Sequence, residues 1–342
     1  MLPARVADYD PEWLDRLCFS GRVGWGRLST PQNSSARASA PLRTSPIALY
    51  LRENLADWLT LTLPKSAIEL SVTSQAVFEA LQSGGALFFS ELVSRTDKSV
   101  LPSQVEEALS QLAALGLVTS DSFDGLRALL VPSNKRPTFG RNPTKRRRRT
   151  NLASIEFAGR WSLLPRSSGS LAAMSASNGA GPREAAIEKF ARVLLRRYGV
   201  VFRRLLEREG FPVTWYELGR IYRRCEARGE IRGGYFVGGV SGEQFAVPEA
   251  IGLLRSIRKS SSNGELITLS AADPLNLQGV LTPGARIPAF TANRILFRAG
   301  LPIAALESRE IRTLSDEHIP DLQIENALRI GKLRPSLRPY YK

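Results

Sequence analysis

The stretch from Arg183 to Ile257 constrains the fold most, because its apolar spacing passes from a helical to an extended period. Ile187, Phe190, Ala191, Leu194 and Leu195 recur at i, i+3, i+4, i+7 and i+8, which predicts a helix with one apolar face. A short second helix is expected through Val201, Leu205 and Leu206, stopping at Gly210. Thr214 and Glu217 then form a T-x-x-E capping box that opens a third helix, with Trp215, Leu218, Ile221, Tyr222 and Cys225 inward. Two short β runs, Gly233 to Val237 and Glu243 to Val247, flank a glycine-rich tip from Gly238 to Gly242. Three helices and a two-stranded wing form a shape suited to reading DNA, the alternative being a winged helix used only for protein packing.

Charge decides which partners suit such a shape. The chain of 342 residues carries a formal charge of +15 and a pI near 10.4, with an ordinary apolar fraction, so it is globular and attracts polyanions. Its length suggests two or three domains. Cys18, Cys225 and the single His318 are too few for a zinc site of Cys/His type, no metal or other cofactor is expected, and no disulfide framework is implied. No signal peptide and no long apolar run is present, so a cytoplasmic location without membrane contact is expected.

In chain order, residues 1–30 read as a remnant of a winged-helix module, its last helix and wing, or as a strap that packs on the rest, with Trp13, Leu14 and Leu17 on the helix and Trp25 in a strand from Val23 to Leu28. Thr30 to Arg43 is a linker, after which Ser45 and Pro46 are expected to start a helix carrying Leu51, Leu55, Trp58 and Leu59. A second winged helix is placed at 44–132. Ser103 and Glu106 form its capping box, and Leu117 to Thr119 and Leu126 to Val131 are its wing strands. Residues 133–182 are a basic and flexible linker with one strand, Phe157 to Leu164. The winged helix at 183–258 follows, then a β-barrel-like module at 264–315 and a basic tail at 316–342. The module's expected strands are Leu266 to Leu269, Asn276 to Leu281, Arg294 to Arg298, Leu301 to Glu307 and Arg309 to Leu314. The predicted class is therefore α+β, tandem winged-helix domains followed by a small β-barrel or curled sheet.

Candidate phosphate contacts come from three places. Lys135, Arg136, Arg141, Lys145, Arg146, Arg147, Arg148 and Arg149 lie in a stretch with no acidic residue between Asp124 and Glu156. Arg220, Arg223, Arg224 and Arg232 accompany the third helix and wing, and Arg334 and Arg338 lie in the tail beside Tyr340 and Tyr341.

Most catalytic signatures are missing. There is no G-x-x-x-x-G-K-[ST] loop, no G-x-S-x-G elbow and no histidine cluster, so no ATPase or helicase activity is expected from these residues alone. One patch remains, Ser270-Ala271-Ala272-Asp273-Pro274-Leu275-Asn276. There Asp273 is readable either as a turn cap, since Asp-Pro favours turns, or as a catalytic carboxylate.

Seven segments together carry a resemblance. They are Tyr9-Asp10-Pro11-x-Trp13-Leu14-Asp15, Arg43-Thr44-x-Pro46-Ile47-Ala48-Leu49, Gln104-Val105-Glu106-Glu107-Ala108-Leu109, Thr119-Ser120-Asp121-Ser122-Phe123, Gly159-Arg160-Trp161-Ser162-Leu163-Leu164, Gly238-Gly239-x-Ser241-Gly242-Glu243-Gln244-Phe245-Ala246 and Ser270 to Leu277. In this order they resemble the C-terminal region of the large helicase-related (Lhr) proteins, ATP-dependent DNA helicases with tandem winged helices and a β-barrel similar to AlkZ-type DNA glycosylases. The resemblance implies a DNA-repair module holding single-stranded or duplex DNA, with a helicase core encoded separately as a partner. It also implies DNA glycosylase chemistry, with uracil as the base to test. Asp273 would be the carboxylate, and Glu243 and Gln244 would lie beside a flipped base or a water. The alternative is a protein-interaction or homo-oligomerisation module built of winged helices.

Overall fold

A computed structural model describes residues 2, 5–29, 42–62, 69–131, 155–165, 181–262, 264–274, 276–282, 284–290, 292–317 and 319–330. They divide into two compact units, one of residues 2–190 with 210–218, the other of 191–209 with 219–342.

The first unit begins with α1 (Pro11–Phe19), capped by Asp10, whose carboxylate accepts the Glu12 N–H at 2.9 Å. Strand β1 (Val23–Gly26) pairs antiparallel with β2 (Ala48–Leu51), Trp25 opposite Leu49. The helix expected to start at Ser45 is thus displaced. Residues 48–51 form a strand, 52–54 a 3₁₀ turn, and only α2 (Leu55–Thr60) is α-helical. The cause is an alternation of period two, with Tyr50 buried between exposed Leu49 and Leu51. The Tyr50 ring lies on Gly24, where a Cβ would meet it at 2.7 Å, so only glycine fits there.

A winged helix follows, built of α3 (Val72–Gly84), β3 (Leu87–Phe88), α4 (Phe89–Arg95), α5 (Pro102–Ala114) and β4 (Val118–Ser120). Its sheet has the order β3-β5-β4, where β5 is Arg160–Leu163. This corrects the expected wing, because Leu126 to Val131 belongs to a helix, α6 (Phe123–Leu130). Ser122 caps α6, its hydroxyl accepting the Gly125 N–H at 3.2 Å, and Leu126 and Leu129 turn inward one helical turn apart. The strand expected alone at 157–164 is the one that completes the sheet. The cap of α5 also differs. Pro102 is its first residue and the Gln104 side chain accepts the Leu101 N–H at 2.8 Å, while Glu106 is buried within the helix.

Val105, Leu109, Leu112 and Val118 are fully buried in one core with Trp25 and Trp161, each leucine stabilising by about 1.5–3 kcal/mol. The two indoles meet edge to face, centroids 6.1 Å apart, and the Trp25 indole N–H donates to the Ser122 carbonyl at 2.8 Å. Asp15 on α1 accepts the Asp124 N–H at 2.9 Å and pairs with Arg127 of α6, so α1 is anchored to the neighbouring winged helix.

The fourth long element, α7 (Pro182–Tyr198), buries Ile187, Phe190, Ala191, Leu194 and Leu195, and α8 (Trp215–Ala227) buries Leu218, Ile221, Tyr222 and Cys225, as their spacing predicts. The boundary between the two units passes through both helices. Thr214 and Glu217 cap α8 reciprocally, the Thr214 N–H donating at 2.8 Å and the Glu217 N–H at 3.2 Å. Between the helices, the expected second helix is a strand, β6 (Val200–Val201), and a 3₁₀ turn over 203–208. Gly199, at φ +71°, ends α7, and two β-branched valines follow in extended form.

In the second unit β6 pairs with β8 (Gln244–Ala246), which pairs with β7 (Arg232–Gly234), giving the three-stranded sheet of a winged helix. Helix α9 (Pro248–Lys259), not expected from the sequence, follows directly and buries none of its residues fully. The β-rich end is an open antiparallel sheet of order β12-β11-β10-β9, from β9 (Leu266–Ser270), β10 (Arg294–Arg298), β11 (Leu301–Glu307) and β12 (Glu310–Thr313). It is not a closed barrel. One face packs Leu296, Ile303 and Leu306 on helix α10 (Asp321–Ile330) through Ile324 and Leu328, and the other packs Ile295 and Ala305 on Ala271 and Ile287.

The strand expected at Asn276 to Leu281 is instead a folded loop. The Asn276 amide donates to the Ala271 carbonyl at 3.0 Å, and Gln278 binds the Ala285 carbonyl and the Ile287 N–H at 2.8 and 3.0 Å. Side-chain amides here take the place of a neighbouring strand. Arg204 and Arg208 donate to the carbonyls of Gly279 and Asn276, and Leu277 and Val280 pack with Val200, Phe202 and Leu205. The loop is therefore fastened to the 3₁₀ segment of the winged helix.

Candidate nucleic-acid interface

Burying Ile221, Tyr222 and Cys225 turns Arg220, Arg223 and Arg224 of α8 outward, where all three are exposed, as is Arg232 at the start of β7. Arg223 pairs with Glu243 at 2.9 Å, and no ion pair engages Arg220 or Arg232 among the described residues. Guanidinium groups on one helix and its wing make a surface that attracts polyanions and donates to phosphate oxygens.

Polar side chains hold this wing to the body. Glu226 of α8 accepts the Gly233 N–H at 2.8 Å, and its carboxylate sits where a Cβ at Gly233 would fall. Gln244 is fully buried. Its oxygen accepts the N–H groups of Phe236 and Val237 at 2.9 and 2.8 Å, and its nitrogen donates to the carbonyls of Val237 and Val240 at 2.9 and 3.5 Å. All four bonding positions of the amide are thus used on wing backbone. This explains why β7 and β8 are shorter than expected, since the Gln244 side chain replaces ladder bonds beyond Gly234. Glu243, by contrast, is half-buried and held by Arg223.

Asp273 lies in the turn that leaves β9 and is 8% exposed. Its N–H donates to the Ser270 carbonyl and its own carbonyl accepts the Asn276 N–H, both at 2.9 Å. Asn276, Gln278 and Asn293 are buried around the same loop. Nearby Arg208 is pushed below its ordinary value, first by burial and also by the Arg286 charge.

The first unit holds a separate cavity of about 250 Å³, lined in part by Cys18, Tyr50, Arg52, Asp121 and Arg160. Burial pushes the Cys18 thiol up to about 11 and the Tyr50 phenol up to about 12, so both keep their protons at neutral pH and offer no nucleophile. Asp121 is held by the Arg160 N–H at 2.8 Å and by its guanidinium.

Lys135, Arg136, Arg141, Lys145, Arg146, Arg147, Arg148, Arg149, Arg334 and Arg338 lie outside the described residues. The structure brings Arg223 and Glu243 together. One exposed residue on the wing was not singled out in the sequence, Tyr235, with 82% of its surface open. The only signal for it is an aromatic directly after Gly233-Gly234. Among the described residues no group of His, Cys, Asp and Glu is placed to hold a metal ion, and no helix is long and apolar enough to cross a membrane.

These helices and wings define a protein of tandem winged-helix domains. Residues 180–266 match the family model for a winged-helix domain of the large helicase-related protein, and residues 1–52 match a second model of the same description. The chain belongs to the large helicase-related (Lhr) family. It is 32% identical over 310 residues to the Lhr helicase/uracil glycosylase of Escherichia coli, covering 84% of this chain. It is 30% identical over 295 residues to an Lhr helicase of Mycolicibacterium smegmatis, covering 82%. The chain spans 18% of the length of each of these relatives. The DNA glycosylase AlkZ of Streptomyces sahachiroi superposes with a TM-score of 0.45 at 14% identity, covering 95% of this chain and 82% of that one.

Proposed function

We propose that this chain is a DNA-binding region of an Lhr-type repair helicase, with contact over the outward face of α8 and its wing. The observation that carries the reading is the exposed set Arg220, Arg223, Arg224 and Arg232 on elements locked together by Glu226 and Gln244. A held helix and wing lower the ordering cost of phosphate binding, because their backbone has already lost that freedom. In this reading the basic residues 135–149 and Arg334 and Arg338 add phosphate contacts without reading sequence. A salt titration by fluorescence anisotropy tests it. Affinity for a labelled oligonucleotide should fall steeply from about 50 to about 300 mM salt, and a flat profile contradicts the proposal.

A second reading, base excision, is favoured by the nearly buried Asp273 and by the uracil glycosylase named in the Escherichia coli relative. Asp273 would stabilise positive charge developing on the sugar or orient a water. Asp273→Asn should abolish release of uracil from single-stranded DNA while DNA affinity stays within about threefold. Unchanged release removes Asp273 from the mechanism, and lost folding supports the turn cap.

A further inference from the structure

We infer that Tyr235 is a base-stacking platform and that this wing engages single-stranded DNA; the inference rests on the DNA-binding reading of the same face. Tyr235 directly follows the Gly234–Gln244 pair that ends β7, three residues after Arg232. Tyr235 is 82% exposed, and Arg232 on the same wing is exposed as well. The ring and an exposed guanidinium therefore belong to one wing, which Glu243 joins to α8 through Arg223 at 2.9 Å.

Its backbone is fixed on both sides. Two residues before it, the Gly233 N–H is bound by Glu226, and directly after it the N–H groups of Phe236 and Val237 are bound by Gln244. The rings of Phe236 and of Tyr235 have opposite fates. Phe236 packs into the core with Val200 and Phe202, and Tyr235 stays 82% exposed. A large ring held in water on a stiff support gains free energy by covering an apolar face. In a duplex the faces of the bases are covered by their neighbours, and in a single strand they are available. Exposed guanidinium groups on the same wing and on α8 supply the phosphate contacts that such a strand requires.

The test uses the full chain with a fluorescent oligo(dT) single strand and a duplex of mixed sequence. Tyr235→Ala should weaken binding of the single strand ~tenfold, with the salt dependence unchanged and duplex affinity within about twofold. Tyr235→Trp should restore single-strand affinity, and 2-aminopurine in the strand should be quenched by the parent chain and not by Tyr235→Ala. If Tyr235→Ala binds the single strand as the parent does, the inference is overturned and the DNA-binding reading stands. If the parent binds neither DNA, both fall.

Discussion

Arg223 on α8 and Glu243 at the entrance to β8 form an ion pair of 2.9 Å that links the helix to the wing. The pair is exposed enough that it contributes little stability, about 0–1 kcal/mol, yet it neutralises one cation of the proposed phosphate-binding face. Glu243→Gln should therefore tighten DNA binding a few fold, at about threefold, and steepen the log-log salt slope by about one. Anisotropy titrations at several salt concentrations read both quantities. Weaker binding by this variant would mean that Glu243 positions Arg223 productively.

Gln244→Leu should be costly. It keeps side-chain bulk but strips partners from the N–H groups of Phe236 and Val237 and from the Val237 carbonyl. An unsatisfied buried backbone group costs about 1–3 kcal/mol, and part of that is recovered if the wing opens to water. Urea unfolding should show a loss of about 2 kcal/mol, and the amides of Phe236 and Val237 should exchange faster with deuterium than in the parent.

Acid should loosen the start of α8. Burial raises the Glu217 carboxyl, but the Thr214 N–H, its hydroxyl and Arg183 outweigh that and hold it below its ordinary value of 4.5. A depressed folded value means that the stabilisation is complete above the ordinary value and is lost as pH falls through the folded one. Tm should drop below about pH 4.5 with a component that Glu217→Gln removes. An identical pH profile in that variant would contradict the assignment.

Local signals were legible and long-range ones were not. The faces of α7 and α8 follow from spacing within one helix, and the Thr214–Glu217 cap spans three residues. The run Leu126 to Val131 reads as a strand from its apolar density, but Ser122 caps it as α6, and the strand completing that sheet, β5, arrives only at Arg160. Pairing across that separation leaves no local mark beyond Trp161. Asn276 to Leu281 failed for another reason, since Asn276 and Gln278 spend their amides on backbone within the loop. The same chemistry hid the role of Gln244, whose partners are all main-chain groups. Helix α10 carries a readable i, i+4 pair, Ile324 and Leu328, whose significance rests on the sheet it covers.

Charge reversal on the helix and wing tests the central claim most directly. Arg220→Glu combined with Arg232→Glu changes two exposed residues that no ion pair engages among the described residues, so folding should be unaffected and circular dichroism should match the parent. Near physiological salt, the full chain carrying both changes should bind a DNA oligonucleotide at least ~tenfold more weakly than the parent, with a shallower salt slope. Parent-like affinity and slope in a correctly folded double variant would contradict the assignment of this face to DNA.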